Sequence, residues 1–158
     1  MPLPPSVTKI KKDGVEFTSS VDRCSYTIKE LCRAALRDAG KFVVKEFRKK
    51  YYGHFKRHTG EGGRATRYKV IASKSTLYPR VQIGLPHATK KNPVKGYYAY
   101  FQELGTKNIP KLGFLQSSVE ENVATIIKIQ SQYLSALEDE AEALALISED
   151  DYEGGAEE

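Results

Sequence analysis

The 158-residue chain has no tryptophan, one methionine, two cysteines and three histidines, and it has no basic residue after Lys128. Each shortage removes a class of reading. Two cysteines cannot build a disulfide framework. Cys24 and Cys32 also lie eight apart in a segment read as one helix, about 12 Å of rise, well beyond the roughly 7 Å between Cα atoms that a disulfide tolerates. They are expected as reduced thiols. His54 and His58 sit four apart but have no third histidine or cysteine close by in the sequence, so no zinc set is completed. "GEGG" at 60–63 lacks the Gly-Lys-Ser/Thr of a P-loop and reads as a hinge. There is no Gly-x-Ser-x-Gly elbow. The reading is therefore a protein that is not an enzyme, with no cofactor and no metal. No apolar run approaches a membrane span, and "MPLPPSVTKIKKDG" holds no apolar stretch that could serve as a signal peptide, so a reducing cytoplasm is the expected place of synthesis and no membrane partner is expected.

What the chain does have is charge, unevenly spread. Residues 1–80 carry 19 Lys/Arg against 7 Asp/Glu, a balance of +12, whereas residues 81–158 carry 6 against 13, a balance of −7. Ten of those acids fall in 138–158. Such asymmetry speaks to partners and not to fold. It is compatible with solvated surfaces, or with the basic part of one subunit meeting the acidic part of another. Candidate interface residues are Lys49, Lys50, Arg57, Arg64, Arg67, Lys90, Lys91 and Lys95 on one side, and Glu138, Asp139, Glu140 and Glu142 on the other.

Periodicity predicts an α+β fold in which two long helices pack on a small antiparallel sheet, with flexible basic loops and an acidic C-terminal tail. Residues 1–14 read as a flexible arm, 15–137 as a single α+β domain, and 138–158 as an acidic helical extension and tail. "VEFTSSV" (15–21) reads as a short strand. From Asp22, residues Cys24, Ile28, Leu31, Ala35, Ala39, Phe42, Val43 and Phe47 keep helical spacing over about 28 residues. Basic loops at 53–67 and 85–96 flank two strands, "RYKVIAS" and "TLYPRVQIG". "YYAYFQELG" (97–105) alternates as a third strand, with Tyr97 and Phe101 expected on its core face. A last helix from about Phe114 to about Ser148 follows, with Ser117/Glu120 or Ser118/Glu121 as a capping box and four acids opposing the dipole near its end.

Gly105 suggests a positive φ, and the Thr106-Lys107-Asn108 turn and Pro110 redirect the chain so that Phe114 and Leu115 plug the first turn of the helix into the sheet. Glu103 beside these aromatics reads as hydrogen-bonded into the loop. This segment, with Tyr98-Ala99-Tyr100-Phe101, Glu103-Leu104-Gly105-Thr106, Pro110, Phe114-Leu115 and, upstream, Arg57-His58-Thr59-Gly60, resembles a family of small tail-component or tail-completion proteins of siphophages and related phages. The resemblance spans roughly residues 22 to 135. The chain departs from the family pattern at Glu61-Gly62-Gly63-Arg64, Gly113 and Gln116. The resemblance implies a structural virion protein, assembled in the host cytoplasm. It would be a ring-forming neck subunit joining the head connector to the tail, with copies of itself, the adjacent connector or adaptor, and tail-tube or terminator proteins as partners. Genomic DNA would pass through the channel without sequence readout. The alternative reading is a basic nucleic-acid-binding module, with Tyr51, Tyr52, Phe55 and Tyr68 available for stacking.

Overall fold

Helix propensity and hairpin chemistry divide the chain. The structure, a computed structural model, describes residues 4–5, 7–55, 61–71, 79–85 and 96–154. Over these described residues it is α+β and 64% helical, with small antiparallel sheets. Strands β1 (Thr8–Lys12) and β2 (Val15–Ser19) precede the long helix α1 (Val21–His54). A short helix α2 (Glu61–Ala65) leads into strands β3 (Arg67–Ile71) and β4 (Arg80–Gly84). Helices α3 (Tyr98–Leu104), α4 (Phe114–Glu120), α5 (Val123–Ser135) and α6 (Glu140–Gly154) follow, with a 3-10 turn at Ala136–Glu138. The contacts group into two compact units, Met1–Ala35 with Ser131–Glu158, and Leu36–Gln130.

Unit 1 begins with the β1–β2 hairpin, which pairs Lys12 with Val15 across a two-residue turn. Asp13 and Gly14 both have positive φ, 52° and 80°, the requirement of a type I′ turn. The N-terminal residues were expected as an arm, yet the Asp-Gly turn folds Thr8–Lys12 back as a strand. The acidic end belongs to this unit as well. Leu31 of α1 packs with Ala143 and Ile147 of α6, supported by Tyr133 and Leu146.

The expectation of one unbroken final helix is corrected here. Asp139 is extended (φ −126°, ψ 117°), and its Oδ1 accepts a 2.8 Å hydrogen bond from the Ala141 N–H, so it caps a new helix. Glu140 and Glu142 then lie in the first turn of α6, where the helix dipole favours acids, instead of near a C-terminus that would repel them.

In unit 2 the remainder of α1 presents a buried stripe at Ala39, Val43, Phe47 and Tyr51, a four-residue rhythm that keeps one face of a 3.6-residue helix inward. Hairpin β3–β4 sits against it. A Cβ at Gly40 would lie 2.9 Å from Tyr68 Cδ2 and 3.2 Å from Val81 Cγ2, so only glycine lets the hairpin approach this closely. The expected third strand is a helix: Tyr98–Leu104 forms α3 after Gly96, whose φ is 81°. Tyr97 and Phe101, expected on a core face, are 50% and 36% exposed. The small sheet is accordingly two separate two-stranded hairpins.

Candidate functional site

Unit 2 is organised around Tyr51. Its ring stacks on Phe47 at 5.5 Å and meets Phe55 at 4.9 Å, and Phe47, Tyr51 and Ala99 form a buried cluster lined by Tyr52, Phe55, Leu85, Phe114 and Leu115. The Tyr51 hydroxyl donates to Gln102 Oε1 at 2.7 Å, tying α3 to α1. Burial, with Tyr98 and Tyr52 beside it, pushes this hydroxyl up to about 12. It remains a neutral donor at any physiological pH.

The glycine pair of "GEGG" is a packing device and not a hinge. A Cβ at Gly62 would collide with the Tyr51 hydroxyl, and one at Gly63 with the Tyr52 hydroxyl. Arg48 closes the end of α2, donating from Nε to the Gly63 carbonyl (3.0 Å) and from a terminal nitrogen to that of Thr66 (3.4 Å). The Gly63 carbonyl also accepts the Thr66 amide at 3.3 Å, and a cation at this C-terminal end stabilises the short helix.

The motif residues meet at the α3–α4 connection. Gly105 has φ 80°, as expected, and lets the chain double back. Thr106 and Ile109 exchange backbone hydrogen bonds of 2.8 and 3.2 Å, then the Leu112 and Gly113 amides donate to the carbonyls of Gln102 and Glu103. Pro110 follows that turn and is exposed. The Glu103 carboxylate accepts the amides of Leu115 (2.8 Å) and Gln116 (3.3 Å), capping α4 from outside the helix. This replaces the expected capping box: the Ser117 and Ser118 hydroxyls instead donate backward to the Phe114 carbonyl. Phe114 and Leu115 are half-buried against α1, and Phe114 meets the His54 ring edge-on at 5.1 Å.

Glu103→Ala should therefore cost about 1–3 kcal/mol of stability, the desolvation penalty of two amides left without an acceptor. Glu103→Gln, which keeps an oxygen acceptor, should recover most of it. Urea denaturation of both variants checks this; equal losses would remove the capping role.

The expected interface residues separate on inspection. Lys50 is half-buried and bonds Ser117 Oγ (3.0 Å) and Glu121 Oε2 (2.7 Å) within its own unit, so it ties α1 to the α4 end instead of facing outward. Glu140 bonds Arg23 Nε at 2.9 Å, while Arg23 also reaches the Pro4 carbonyl at 2.7 Å, and Asp139 is the α6 cap. Lys49, Arg64, Arg67, Glu138 and Glu142 are exposed. Arg57, Lys90, Lys91 and Lys95, with the whole Arg57-His58-Thr59-Gly60 motif and residues 86–95 of the second basic loop, lie outside the described residues, whereas 61–65 of the first loop form α2.

Cys24 and Cys32 are free thiols on α1, and burial pushes the Cys32 thiol above its ordinary range. Among the described residues no cluster of three or more His, Cys, Asp or Glu is placed to hold a metal, and no helix is long and apolar enough to cross a membrane.

Sequence reasoning missed Tyr51, Gln102 and Arg48 as organisers of the joint. The signal for Tyr51 lay in the apolar stripe itself, which reaches it four residues beyond Phe47. No family model, curated protein or solved structure matches this chain.

Proposed function

We propose that this chain is a structural subunit that works by binding, in a ring at the neck of a tailed phage that joins the head connector to the tail. The observation that carries the assembly part is α5. This helix, Val-Ala-Thr-Ile-Ile-Lys-Ile-Gln-Ser-Gln-Tyr-Leu-Ser, has a single charged residue, yet none of its 13 residues is buried. In unit 2, Val119, Val123 and Ile127 follow one another at four-residue steps and are 38%, 47% and 58% exposed. In unit 1, Leu134 and Leu137 are 60% and 42% exposed. Single exposed apolar residues are ordinary, but a run of them from the end of α4 through α5 into the 3-10 turn marks a surface that another chain covers. Copies of the same chain are the partners that a ring requires, and heterologous contacts close it. The phage station rests on the motif resemblance. Among the described motif residues, Ala99, Glu103, Gly105, Thr106, Phe114 and Leu115 have scaffolding tasks at the α3–α4 joint, which fits a part that holds geometry instead of performing chemistry.

The test is the solution mass by light scattering across concentration and salt, with electron microscopy of any large species. The expected result is a closed multimer for the native chain and a monomer of unchanged helicity for Ile127→Glu. A native chain that stays monomeric under every condition would overturn self-assembly, and multimers that are not rings would overturn the neck reading.

A further inference from the structure

The two hairpins treat their cations differently. On β1–β2, Lys9 and Lys11 both flank Glu16, at 4.0 and 3.9 Å. On β3–β4, the alternation that turns Tyr68, Val70, Val81 and Ile83 to the more buried side leaves Arg67, Lys69, Arg80 and Gln82 exposed. The register sets Arg67 opposite Gly84, Lys69 opposite Gln82 and Arg80 opposite Ile71. No acid stands across from any of the three cations, where an opposite charge would ordinarily stabilise an antiparallel pair. None of the three has an ion-pair partner among the described residues. Gly84 leaves open space beside Arg67: a Cβ there would meet nothing within 4 Å.

We infer that the exposed β3–β4 face binds the phosphate backbone of duplex DNA without reading its bases. A face made of two arginines, a lysine and an amide, with the half-buried Ile71 at its end and no apolar centre, has the composition of a nucleic-acid interface and not of a protein joint, whose core is apolar and depleted in lysine. The apolar surface suited to a protein partner lies elsewhere, on α4 and α5. Arginine forks match phosphate oxygens in paired geometry. Tyr68 and the other stacking candidates are not on this face, so single-strand stacking is not its mode. The inference stands independently of the neck reading.

The test is fluorescence anisotropy of the full chain with a labelled 30-base-pair duplex of arbitrary sequence. Affinity should fall with salt on a log–log slope of about −2.7, the value for three phosphate contacts. The triple variant Arg67→Gln, Lys69→Gln, Arg80→Gln should lose at least about tenfold in affinity at low salt and flatten that slope, with its thermal unfolding unchanged. Equal affinity for unrelated sequences is expected. The inference is overturned by a native chain that does not bind the duplex at low salt, or by a triple variant that binds as tightly as the native chain. It is also overturned if the triple variant changes the solution mass while DNA binding persists, because the face would then be a joint between protein subunits. The mass of the native chain separately decides the neck reading.

Discussion

Phe47→Ala should cost about 3–5 kcal/mol in urea denaturation, the range for removing a fully buried aromatic ring. Phe47 is 0% exposed, stacks on Tyr51 at 5.5 Å, and shares its cluster with Ala99. Removing the ring deletes the floor on which Tyr51 lies, and Tyr51 in turn holds Gln102 of α3. The loss should therefore reach the α3–α4 joint, with earlier amide exchange at Leu112 and Gly113, whose bonds to Gln102 and Glu103 depend on α3 staying in place. Phe114→Ala is the comparison. Its ring is only half-buried, so its loss should be no more than about half as large, because less surface returns to water and the gap opens to solvent. Similar losses for the two would mean that the plug at the start of α4, and not the α1 stripe, carries this core. A Phe47 loss below about 1 kcal/mol would show that the cluster relaxes to fill the space.

The same contacts explain which parts of the fold were legible. The α1 stripe was legible because one four-residue rhythm of apolar side chains runs through Leu31, Ala35, Ala39, Val43 and Phe47, and burial follows it. Strands β3 and β4 were legible because alternation with β-branched residues matches a surface buried on one side. Strand β2 was found, but its partner was not, although Asp13-Gly14 is a strong hairpin signal. The lysines around that turn drew it into the reading of a charged arm.

Residues 97–105 misled for a physical reason. Tyrosine and phenylalanine favour strands, and Tyr-Ala-Tyr-Phe alternates in size. Tertiary contact overrides that preference. As a helix, the segment sets Tyr98 and Gln102 four residues apart on one face, and both then reach Tyr51. Nothing within the segment announces Tyr51, which lies 47 residues earlier in the chain.

The final run misled in the opposite way. Its helical spacing is real, but periodicity is blind to caps inside a periodic stretch. Asn122, whose carbonyl accepts from Ile126 N at 3.0 Å, starts α5, and Asp139 starts α6. Asp139 with Glu142 three residues later has the spacing of a capping box, a sign that was present in the sequence. At the candidate site, Gly105 and Glu103 hold the roles expected of them, whereas Phe114 and Leu115 pack on the Phe47–Tyr51–Ala99 cluster of α1 and α3 and not on a sheet. Lys50, Asp139 and Glu140 each have a partner within their own chain, Asp139 and Glu140 while remaining exposed, because side-chain charge alone does not reveal which ions find such partners.

Gly96→Ala should be as damaging as the loss of Phe47, although it adds only a methyl group. Two effects act on the same atom. The φ of 81° places any Cβ in the left-handed region, a penalty of about 1–2 kcal/mol. That Cβ would also collide with the Glu61 carbonyl oxygen and lie 2.8 Å from the Glu61 carbonyl carbon and 2.9 Å from Ala65 Cβ. Backbone cannot step aside as a flexible side chain can, so overpacking adds about 1–3 kcal/mol. The sum, about 2–5 kcal/mol, falls on the contact between the entrance of α3 and α2, whose own glycines already leave no space against Tyr51 and Tyr52. Gly113→Ala separates the two effects. Its φ is 62°, but the nearest atom to an added Cβ is the flexible Lys111 Cε at 3.6 Å, so only the backbone penalty of about 1–2 kcal/mol applies. Thermal unfolding should therefore rank native, Gly113→Ala and Gly96→Ala in falling order. If the two variants unfold together, the close seat of α3 on α2 does not contribute to stability, and the geometry around Tyr51 must be held by α1 and α3 alone.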